Sequence, residues 1–325
     1  MTTMKAVQVT QTGGLEALHY TDVRRPEPAA HQALIEVRAI GVNFVDIYYR
    51  EGIYPATLPL IIGQEGAGVI VELGDGMEGF QVGDNVAWCM YLGAYAEFAV
   101  VPEAHLVRLP SHISYEQAAA ILLQGMTAEY LTSDTFPLEK GDTALVHAGA
   151  GGVGLLLTQM AVQRGVHVIT TVSSDEKAAL SRSMGAQDVI LYTRQDFEAE
   201  VKAITEDRGV DVVYDSVGKS TFEGSLRCLR PRGTMVLFGA SSGAVAPVDP
   251  IHLSLLGSLF LTRPSLSHYT LTRSELEARS TNVFEGLAQG RLMLHVQQTY
   301  PLAEAARAHE ELQARRTSGK IILIP

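Results

Sequence analysis

The hydrophobic pattern in the first third of the chain predicts β-strands. Short runs rich in β-branched residues alternate with clusters of Gly, Pro and Asp. A series of strands with little helix is typical of a partly closed antiparallel β domain. The predicted strands are MKAVQVT, ALIEVRAIGVN, AGVIVELG, DNVAWC and YAEFAVV.

The pattern changes in the middle of the chain. Ser114, followed by Gln117 three positions later, forms a capping-box motif that predicts the start of a helix. From Thr143 onward, nearly uninterrupted apolar strands alternate with helical patterns, which predicts a parallel sheet covered on both faces. The six strands are TALVHAG, VHVITTV, DVILY, VDVVYDSV, GTMVLFG and SLFLTR. The helical patterns between the first four begin near Gly152, Ser174 and Gln195.

The last segment returns to mixed elements. A helical pattern from Thr272 to about Ala288 is followed by VQQTY, a second helical pattern from Leu302 to Ala314, and the strand KIILI. These pieces are of the kind needed to complete the first domain. We therefore predict an α/β protein with a discontinuous β domain, residues 1–125 and 264–325, and a doubly wound six-stranded parallel domain, residues 126–263.

Composition and charge narrow the class of protein. The 325 residues are 46% hydrophobic and 19% charged, which is typical of a globular chain of about two domains and excludes disorder as the main state. A formal net charge of −11 argues against a nucleic-acid partner. Two cysteines, Cys89 and Cys228, cannot make a disulfide framework or a thiolate zinc site.

Nothing in the sequence indicates a secretory signal or a membrane span. The N-terminal MTTMKAVQVTQTGG has no long apolar stretch. The uncharged segment from Thr143 to Val162 is long enough to cross a bilayer, but the HAGAGGVG at its centre would make a poor helix. We therefore expect a cytoplasmic protein without a membrane partner.

A glycine-rich turn carries the clearest chemistry. Gly149, Gly151 and Gly154 form G-x-G-x-x-G between an apolar strand and a helical pattern. The glycines permit a tight turn, a close approach of pyrophosphate and close helix–strand packing, while the helix N-terminus offers unpaired N–H groups to phosphate. In this context the motif predicts a dinucleotide site. The expected contacts are Gly149, Gly151, Gly152, Val153 and Gly154.

The end of the second parallel strand predicts which dinucleotide binds. NAD-specific sites place an acidic residue there, whereas this strand ends in Ser173 and Ser174 and is followed by Lys177. Small hydroxyl groups and a cation suit a 2′-phosphate, so we predict NADPH. Asp175 and Glu176 weaken this prediction, although acidic residues also suit a helix N-terminus. Lys177 as an ordinary solvated lysine is the alternative.

Several separated segments together carry a family resemblance. GVNFVDIYYREGIYP, PLIIGQEGAGVI, GDNVAW, YAEFAVV, VVYDSVG and RRTSGKIILIP resemble the quinone oxidoreductase (zeta-crystallin-like) family, within the medium-chain dehydrogenase/reductase superfamily. The resemblance covers essentially the whole chain. It implies a GroES-like β-barrel catalytic domain, a Rossmann domain, NADPH, and reduction of quinones or related conjugated carbonyls. It also implies a homodimer in which the strand SLFLTR pairs with its symmetry mate.

Two positions bear on metal binding. Zinc-dependent alcohol dehydrogenases of the superfamily have a Cys and a His where this sequence has Asn43 and Gln64. Neutral amides are poor zinc ligands, and the four-cysteine structural lobe is also absent. We therefore predict an enzyme without a metal. A quinone is a strongly electrophilic acceptor, so orientation and a few hydrogen-bond donors could replace a Lewis acid.

The resemblance assigns residues to the nicotinamide side of the site. It implies that Asn43, Phe44, Asp46 and Tyr48 border the nicotinamide. Tyr48 is predicted to donate a hydrogen bond to the developing quinone oxyanion, and Asn43 to orient the carboxamide or the acceptor. The alternative is that Tyr48 and Tyr49 are packing residues with satisfied hydroxyl groups.

The resemblance also implies contacts with the rest of the cofactor. Thr127 and Tyr130 lie on the linking helix pattern, and Asp215 is expected to cap a turn. Arg315 matches a family arginine that reaches the 2′-phosphate, with Arg316 as an alternative contact or either arginine in a surface ion pair. Contacts at strand ends are expected from Tyr192, Ser216, Val217, Phe238, Gly239, Ala240, Ser241, Arg263, Pro264 and Ser265.

Two other functions fit the same sequence. An NADPH-dependent enone or 2-enoyl thioester reductase would use the same hydride delivery to a conjugated double bond. An NADPH-binding structural or RNA-associated protein with little turnover would need a basic stripe, against which the net charge of −11 speaks.

Overall fold

The computed structural model describes residues 2–325, which form two compact units. The first unit contains residues 2–126, 270–290 and 294–325, and the second contains 127–269 and 291–293. The boundaries predicted from the sequence lay at 125/126 and 263/264, and residue 1 lies outside the described residues. Residues 291–293 join the second unit because Met293 N–H donates to Gln159 Oε1 (2.7 Å) and Gln163 Nε2 donates to the Arg291 carbonyl (2.5 Å).

The described residues contain the following strands and α-helices. The strands are β1 (Thr3–Val9), β2 (His19–Arg24), β3 (Gln32–Val42), β4 (Leu60–Ile61), β5 (Glu65–Leu73), β6 (Asn85–Cys89), β7 (Phe98–Pro102), β8 (Leu106–Arg108), β9 (Thr143–Val146), β10 (His167–Val172), β11 (Asp188–Leu191), β12 (Val210–Asp215), β13 (Leu229–Leu237), β14 (Phe260–Thr262), β15 (Val296–Pro301) and β16 (Lys320–Ile324). The helices are α1 (Phe44–Arg50), α2 (Tyr115–Tyr130), α3 (Gly152–Gln163), α4 (Asp175–Ser183), α5 (Phe197–Ile204), α6 (Phe222–Cys228), α7 (Pro250–Leu255), α8 (Arg273–Ala288) and α9 (Ala305–Gln313).

The first unit is built mainly from antiparallel strands. A small sheet has the order β2-β1-β4, and a larger one has the order β15-β16-β3-β5-β6-β8, with β7 also paired to β3. The C-terminal strand β16 pairs antiparallel with β3, placing Ile321 opposite Val42, so the end of the chain completes a sheet begun near residue 32. Apolar side chains of both sheets form the core, among them Val7, Ile35, Ile70, Trp88 and Leu323.

The second unit is a parallel sheet with helices in its connections. Over residues 127–269 the sheet has six strands in the order β11-β10-β9-β12-β13-β14, all paired in parallel. The central strands β9 and β12 are buried along their whole length, as expected of a sheet covered on both faces. The predicted α/β fold class, with its doubly wound parallel sheet, is confirmed.

Helix starts followed the sequence signals closely. The Ser114–Gln117 capping box is present, with Gln117 N–H donating to Ser114 Oγ (3.2 Å) and Ser114 N–H donating to Gln117 Oε1 (2.9 Å). Ser174 caps α4, and Thr272 forms a capping box at the start of α8. No helix within residues 2–325 is both long enough and apolar enough to cross a bilayer.

Three short helices were not predicted. α1 and α6 have seven residues each and α7 has six, which is too short for a clear helical period. The strand predicted from Tyr95 begins only at Phe98. The helix predicted over Leu302–Ala314 opens with a 3₁₀ turn, so its α-helical part is α9 alone.

Candidate functional site

The turn between β9 and α3 has no room for a side chain at two of its glycines, Gly149 and Gly154. A Cβ built on Gly149 would lie 2.4 Å from Thr170 Cβ, and one on Gly154 would lie 2.4 Å from the Ala148 carbonyl oxygen. Both distances are far below van der Waals contact, so the first and third glycines of the motif are required by packing against β10 and the turn itself.

The N-terminus of α3 is uncapped. Gly151 is its N-cap residue, no side chain caps it, and its first turn carries no acidic residue. The first α-helical bond runs from Leu155 N–H to the Gly151 carbonyl, so the preceding N–H groups of Gly152, Val153 and Gly154 have no partner within the helix. These donors, together with the positive end of the helix dipole, suit the pyrophosphate of a dinucleotide.

A chain of buried polar side chains lies beside this turn, and its only sign in the sequence is a histidine, His147, that follows an apolar strand. His147 Nδ1 lies 2.9 Å from Thr171 Oγ1, and its Nε2 lies 2.9 Å from Ser225 Oγ. Because Ser225 donates its hydrogen to Asp215 Oδ2 (3.1 Å), it accepts from Nε2–H, and Nδ1 accepts from Thr171. Burial lowers the pKa of His147 and keeps it neutral. The chain ties together the ends of β9, β10 and β12.

The carboxyl ends of β12 and β13 form a second tight turn region. Asp215 Oδ1 accepts hydrogen bonds from the N–H groups of Val217 (2.7 Å) and Gly218 (2.9 Å), which confirms its predicted role as a turn cap. A Cβ on Gly239 would lie 2.5 Å from the Ser216 carbonyl oxygen. The main chain of the following residues is fixed by bonds to the same turn, so the predicted contacts Ser216, Val217, Phe238, Gly239, Ala240 and Ser241 lie together.

In the region predicted to bind the 2′-phosphate, the polar side chains at the start of α4 are hydrogen-bonded or ion-paired within the protein. Ser174 Oγ caps α4 by accepting from Lys177 N–H (3.3 Å) and donates to Glu176 Oε2 (3.1 Å). Asp175 is paired through both oxygens with Arg194, at 2.9 and 3.3 Å. Arg194 was not among the predicted contacts, although it follows the third parallel strand, β11, by only a few residues. Its charge offsets that of the acidic side chain that weakened the NADPH prediction.

The ends of the two neighbouring strands lie side by side at this edge. Thr193 Oγ1 donates to the Ser173 carbonyl (3.2 Å), so the residues after β11 reach those after β10. The Tyr192 side chain is 41% exposed at the same edge. Ser173 and Tyr192 are therefore both accessible from the carboxyl end of the sheet, where the prediction places them.

The remaining predicted contacts differ in their surroundings. The Tyr130 ring is buried and stacks on Tyr269, with centroids 4.2 Å apart, and its contact with the cofactor stays a prediction. Thr127 is also buried. Arg316, the alternative to Arg315, is held by Glu310 and Glu311 in surface ion pairs. After β14, Arg263 donates to the Leu237 carbonyl (2.9 Å), Pro264 follows, and Ser265 bonds Ser267 (2.9 Å).

In the first unit, the start of α1 is fixed by a buried carboxylate. Asp46 Oδ2 accepts from Asn43 N–H (2.8 Å) and from the Tyr95 hydroxyl (3.1 Å), and Oδ1 accepts from Gln64 N–H (3.2 Å). Asp46 is fully buried, and this burial raises its pKa to about 7. The Asp46 carboxylate therefore positions the Asn43 main chain, and its place beside the nicotinamide stays a prediction.

The polar atoms of the Asn43 side chain also form hydrogen bonds within the protein. Nδ2 donates to Glu65 Oε2 (2.9 Å) and to the Gly41 carbonyl (3.1 Å), while Oδ1 accepts from Lys320 Nζ (2.8 Å). Lys320 Nζ lies 2.6 Å from Glu65 Oε2. Both N–H groups of the Asn43 amide and its Oδ1 are therefore engaged within the protein, and its role in orienting the carboxamide or the acceptor stays a prediction.

The other end of α1 is anchored as well. Arg50 is 1% exposed, and its guanidinium contacts His309 Nδ1 (3.3 Å), while His309 Nε2 lies 3.0 Å from the Tyr95 hydroxyl. Because a guanidinium only donates, Nδ1 accepts, Nε2–H donates to Tyr95, and Tyr95 donates to Asp46. Burial and the charge of Arg50 lower the pKa of His309 to about 3. Polar bonds therefore hold this short helix at both ends.

An aromatic cluster lies on and beside α1. The Tyr48 ring contacts Phe44 (centroids 6.4 Å apart) and Tyr54 (5.3 Å), and Tyr54 also meets Tyr49 edge-on at 5.7 Å. Tyr48 is half-buried and Tyr54 is 37% exposed. Tyr54 was missed by the sequence analysis, although it falls within the resembling segment GVNFVDIYYREGIYP.

Comparisons with known proteins agree with this arrangement. The family model for the alcohol dehydrogenase GroES-like domain matches residues 29–111, and that for zinc-binding dehydrogenase matches residues 152–279. A quinone oxidoreductase of Pseudomonas aeruginosa is 46% identical over 99% of both chains. The chain belongs to the quinone oxidoreductase family. The predicted membership of this family, within the medium-chain dehydrogenase/reductase superfamily, is confirmed.

Two further relatives of this chain are named for a substrate or a bound cofactor. A 2-haloacrylate reductase of Burkholderia is 40% identical over 98% of both chains. The structure of an Escherichia coli quinone oxidoreductase complexed with NADPH has a TM-score of 0.96 at 42% identity, covering 99% of this chain and 100% of that one. The resemblance therefore extends over the whole length of both units.

The family member's Gln64 occupies a buried position with an unsatisfied amide oxygen. Gln64 is 4% exposed, and its Oε1 is buried without a hydrogen-bond partner. The side-chain oxygen of Asn43, by contrast, accepts a hydrogen bond from the Lys320 ammonium group. Throughout residues 2–325, no group of three or more His, Cys, Asp or Glu side chains is arranged to hold a metal ion.

Proposed function

We propose that this protein is an NADPH-dependent quinone reductase. The observation that carries the proposal is the uncapped glycine turn at the start of α3, where Gly149 and Gly154 leave no space for side chains and unpaired N–H groups face outward from the helix end. The residues present fit the pyrophosphate of a nicotinamide dinucleotide. When bound, NADPH supplies the reducing equivalents for the reaction.

The charges at the end of β10 support NADPH over NADH. Asp175 is paired with Arg194, and Glu176 accepts from Ser174, so no acidic group at this edge lacks a partner. Lys177 lies in the first turn of α4, beside Ser174. The structure of the Escherichia coli relative is itself an NADPH complex. We therefore assign the 2′-phosphate to this edge, with Tyr192 and Arg194 beside it.

The tyrosine of α1 is the proposed catalytic residue. Tyr48 lies two residues after Asp46 on a helix whose ends are fixed by buried bonds, and its ring packs against Phe44 and Tyr54, so its place is set before substrate binds. We propose that the hydroxyl donates a hydrogen bond to the quinone oxygen that becomes negative during reduction. Overall, the quinone gains a hydride and a proton, and the product is the hydroquinone.

We propose that the reaction requires no metal ion. The side-chain oxygen of Asn43 accepts from a buried ammonium group, which would repel a metal cation at the same place. Gln64 offers only a neutral amide, a poor ligand for zinc. A quinone accepts electrons readily, so hydrogen-bond donors and orientation are sufficient for the chemistry.

A second candidate activity has specific support. The 40% identical relative of Burkholderia is named a 2-haloacrylate reductase, and a haloacrylate contains a carbon–carbon double bond conjugated with a carboxylate. The same site could deliver hydride to the β-carbon of an enone, enoate or enoyl thioester. This reaction would need a proton donor placed at the α-carbon. We place the quinone reaction first because its proton goes to an oxygen, which water can protonate without a positioned donor.

A substrate panel tests the proposed function. NADPH oxidation is measured with benzoquinones, naphthoquinones, enones, haloacrylates and enoyl thioesters, and each substrate is scored by kcat/KM. We expect the highest values for quinones. Preference for an enoate or enoyl thioester would favour the second candidate, and no NADPH oxidation with any of them would contradict both.

We also propose a homodimer formed through β14. This strand lies at the end of the sheet order, and Phe260 in it is 62% exposed. Ile251 and Leu255 of α7 are 65% and 79% exposed in the same unit. Covering these apolar groups and extending the sheet would both favour pairing with a second copy.

The free thiols of Cys89 and Cys228 support a reducing, cytoplasmic location.

A further inference from the structure

A buried ionic cluster lies next to the start of α1. We call it the Lys320 cluster, and it consists of Lys320, Glu65, Asn43 and Gly41. Lys320 is 2% exposed and Glu65 is fully buried, with Nζ 2.6 Å from Glu65 Oε2 and 2.8 Å from Asn43 Oδ1. The Lys320 ammonium group bears on metal exclusion at Asn43, but the pair that it forms with Glu65 has no role in the proposed reaction.

The chain is built to admit this cluster. A Cβ on Gly41 would lie 2.4 Å from Glu65 Oε2 and 2.2 Å from the Ala119 carbonyl oxygen, so only glycine leaves space for the carboxylate. The other carboxylate oxygen accepts from Leu123 N–H in α2 (2.7 Å). Glu65 therefore joins β5, β16, α2 and the N-cap of α1 in one place.

The charges give the Asn43 amide a single orientation. An ammonium group only donates and a carboxylate only accepts, so Oδ1 must face Lys320 and Nδ2 must face Glu65. A buried ion pair is seldom a net gain in stability compared with apolar packing, which makes orientation the more informative role. Asn43 in turn begins the helix that carries Tyr48, five residues later.

We propose that Lys320 is a positioning residue of the redox site, acting through the Asn43 amide to fix the first turn of α1 and hence Tyr48. The inference rests on the proposed quinone reductase activity for its kinetic consequences. Its structural consequence, a fixed and protected Asn43 side-chain amide, does not depend on that activity.

The kinetic test uses variants that separate orientation from stability. Lys320→Met leaves Glu65 charged and unpaired, whereas the double variant Glu65→Gln/Lys320→Met removes both charges. Stability is followed by denaturant unfolding with the fluorescence of Trp88, the one tryptophan in the sequence and fully buried in the same unit. Lys202→Met, which breaks an exposed ion pair in the other unit, is the control.

We expect Lys320→Met to lower both the unfolding midpoint and kcat/KM for the quinone. In the double variant the midpoint should recover, while kcat/KM should stay about 10-fold or more below wild type, because the amide is no longer oriented. If Lys320→Met does not fold, the double variant supplies the result. A double variant with wild-type kcat/KM would overturn the proposal.

A cycle with Asn43 tests the route of the effect. Since Lys320 acts through Asn43, adding Lys320→Met to Asn43→Ala should lower kcat/KM by no more than about twofold beyond the single variant. Losses that multiply would show that Lys320 acts by another route and would overturn the proposal. Lys202→Met should leave kcat/KM unchanged in either background.

Hydrogen exchange separates this inference from the proposed function. The side-chain amide signals of Asn43, assigned by their loss in Asn43→Ala, should exchange slowly in wild type and much faster in the double variant. Equal exchange rates would overturn the inference even in an active enzyme. Slow wild-type exchange in a protein without quinone reduction would contradict the proposed function alone.

Discussion

Tyr95 donates its hydroxyl hydrogen to Asp46 Oδ2 across 3.1 Å, and both side chains are fully buried. Tyr95 in turn accepts from His309, so one phenol joins two titrating groups. Burial raises the pKa of Asp46 to about 7 and, with the charge of Arg50, lowers that of His309 to about 3. The two groups therefore couple the stability of the first unit to pH in opposite directions.

The first prediction concerns Asp46. Its folded-state pKa lies above the ordinary 3.8, so folding takes up a proton between these values. This group's contribution to the free energy of unfolding therefore falls as pH rises toward 7, by up to about 1.4 kcal/mol per pH unit. His309→Gln, which keeps Asp46 as the main buried titrating group of the cluster, should lose stability from pH 5 to 7. Denaturant unfolding followed by Trp88 fluorescence measures it, and a flat profile would contradict the assignment.

The second prediction concerns His309, whose contribution to stability changes with pH in the opposite direction to that of Asp46. Its folded-state pKa of about 3 lies below the ordinary 6.5, so the unfolded chain takes up the proton first. Stability should fall as pH decreases below 6.5, by at most about 1.4 kcal/mol per unit. In Asp46→Asn, the free energy of unfolding should show this dependence on pH. In the wild type, where the two groups oppose each other, it should vary less with pH than in either variant between pH 4.5 and 6.5. An Asp46→Asn profile that rises on acidification would exclude a buried neutral His309.

The third prediction tests the cofactor assignment. Lys177→Ala should reduce the preference for NADPH over NADH by about 1–3 kcal/mol, the range for a hydrogen bond to a charged group. The measurement is the ratio of kcat/KM for the two cofactors. Lys202→Ala, an exposed lysine on α5, is the matched control and should leave the ratio unchanged. An equal ratio in Lys177→Ala and wild type would remove the role assigned to Lys177.

The fourth prediction concerns metal independence. We expect quinone reduction to survive prolonged treatment with a chelator, and elemental analysis of the purified protein to find zinc well below one atom per chain. The physical reason is that Lys320 Nζ already occupies Asn43 Oδ1. One tightly held zinc per chain would contradict the inference that Asn43 and Gln64 do not bind a metal ion.

The fifth prediction tests the dimer. Phe260→Glu would place like charges close together across a two-fold axis at β14, so sedimentation should show a shift from dimer to monomer. Leu271→Glu alters a similarly exposed residue, 73% accessible, in the first unit and should leave the dimer intact. A Phe260→Glu protein that sediments like wild type would exclude an interface at this strand.

Local signals explain why much of the fold was predictable. β-branched runs gave the strands of the parallel sheet, and Ser114, Ser174 and Thr272 marked helix starts, because each cap is made by residues close in sequence. The glycine turn was equally local, since its steric demand lies within one loop and the adjacent strand.

The polar networks around α1 could not be predicted in the same way. Lys320 meets Asn43 across 277 positions of the chain, and His309 meets Arg50 across 259. The family resemblance places Asn43 and Asp46 beside the cofactor, but the bonds that their side chains make to Lys320, Glu65 and Tyr95 come from distant parts of the chain. Arg194 was not predicted because its partner Asp175 lies 19 residues away, on the other side of β11. Tyr54 contacts Tyr48 and Tyr49, which are near in sequence, but its position outside α1 gives no periodic signal for the contact.

The sequence by itself determined the parallel sheet, the glycine turn and the family of this chain, because periodicity, backbone sterics and motif order are properties of neighbouring residues. The tertiary structure alone decided which polar groups are already satisfied. Burial makes each donor and acceptor seek a partner wherever the fold brings one, and for α1 those partners come from the opposite end of the chain.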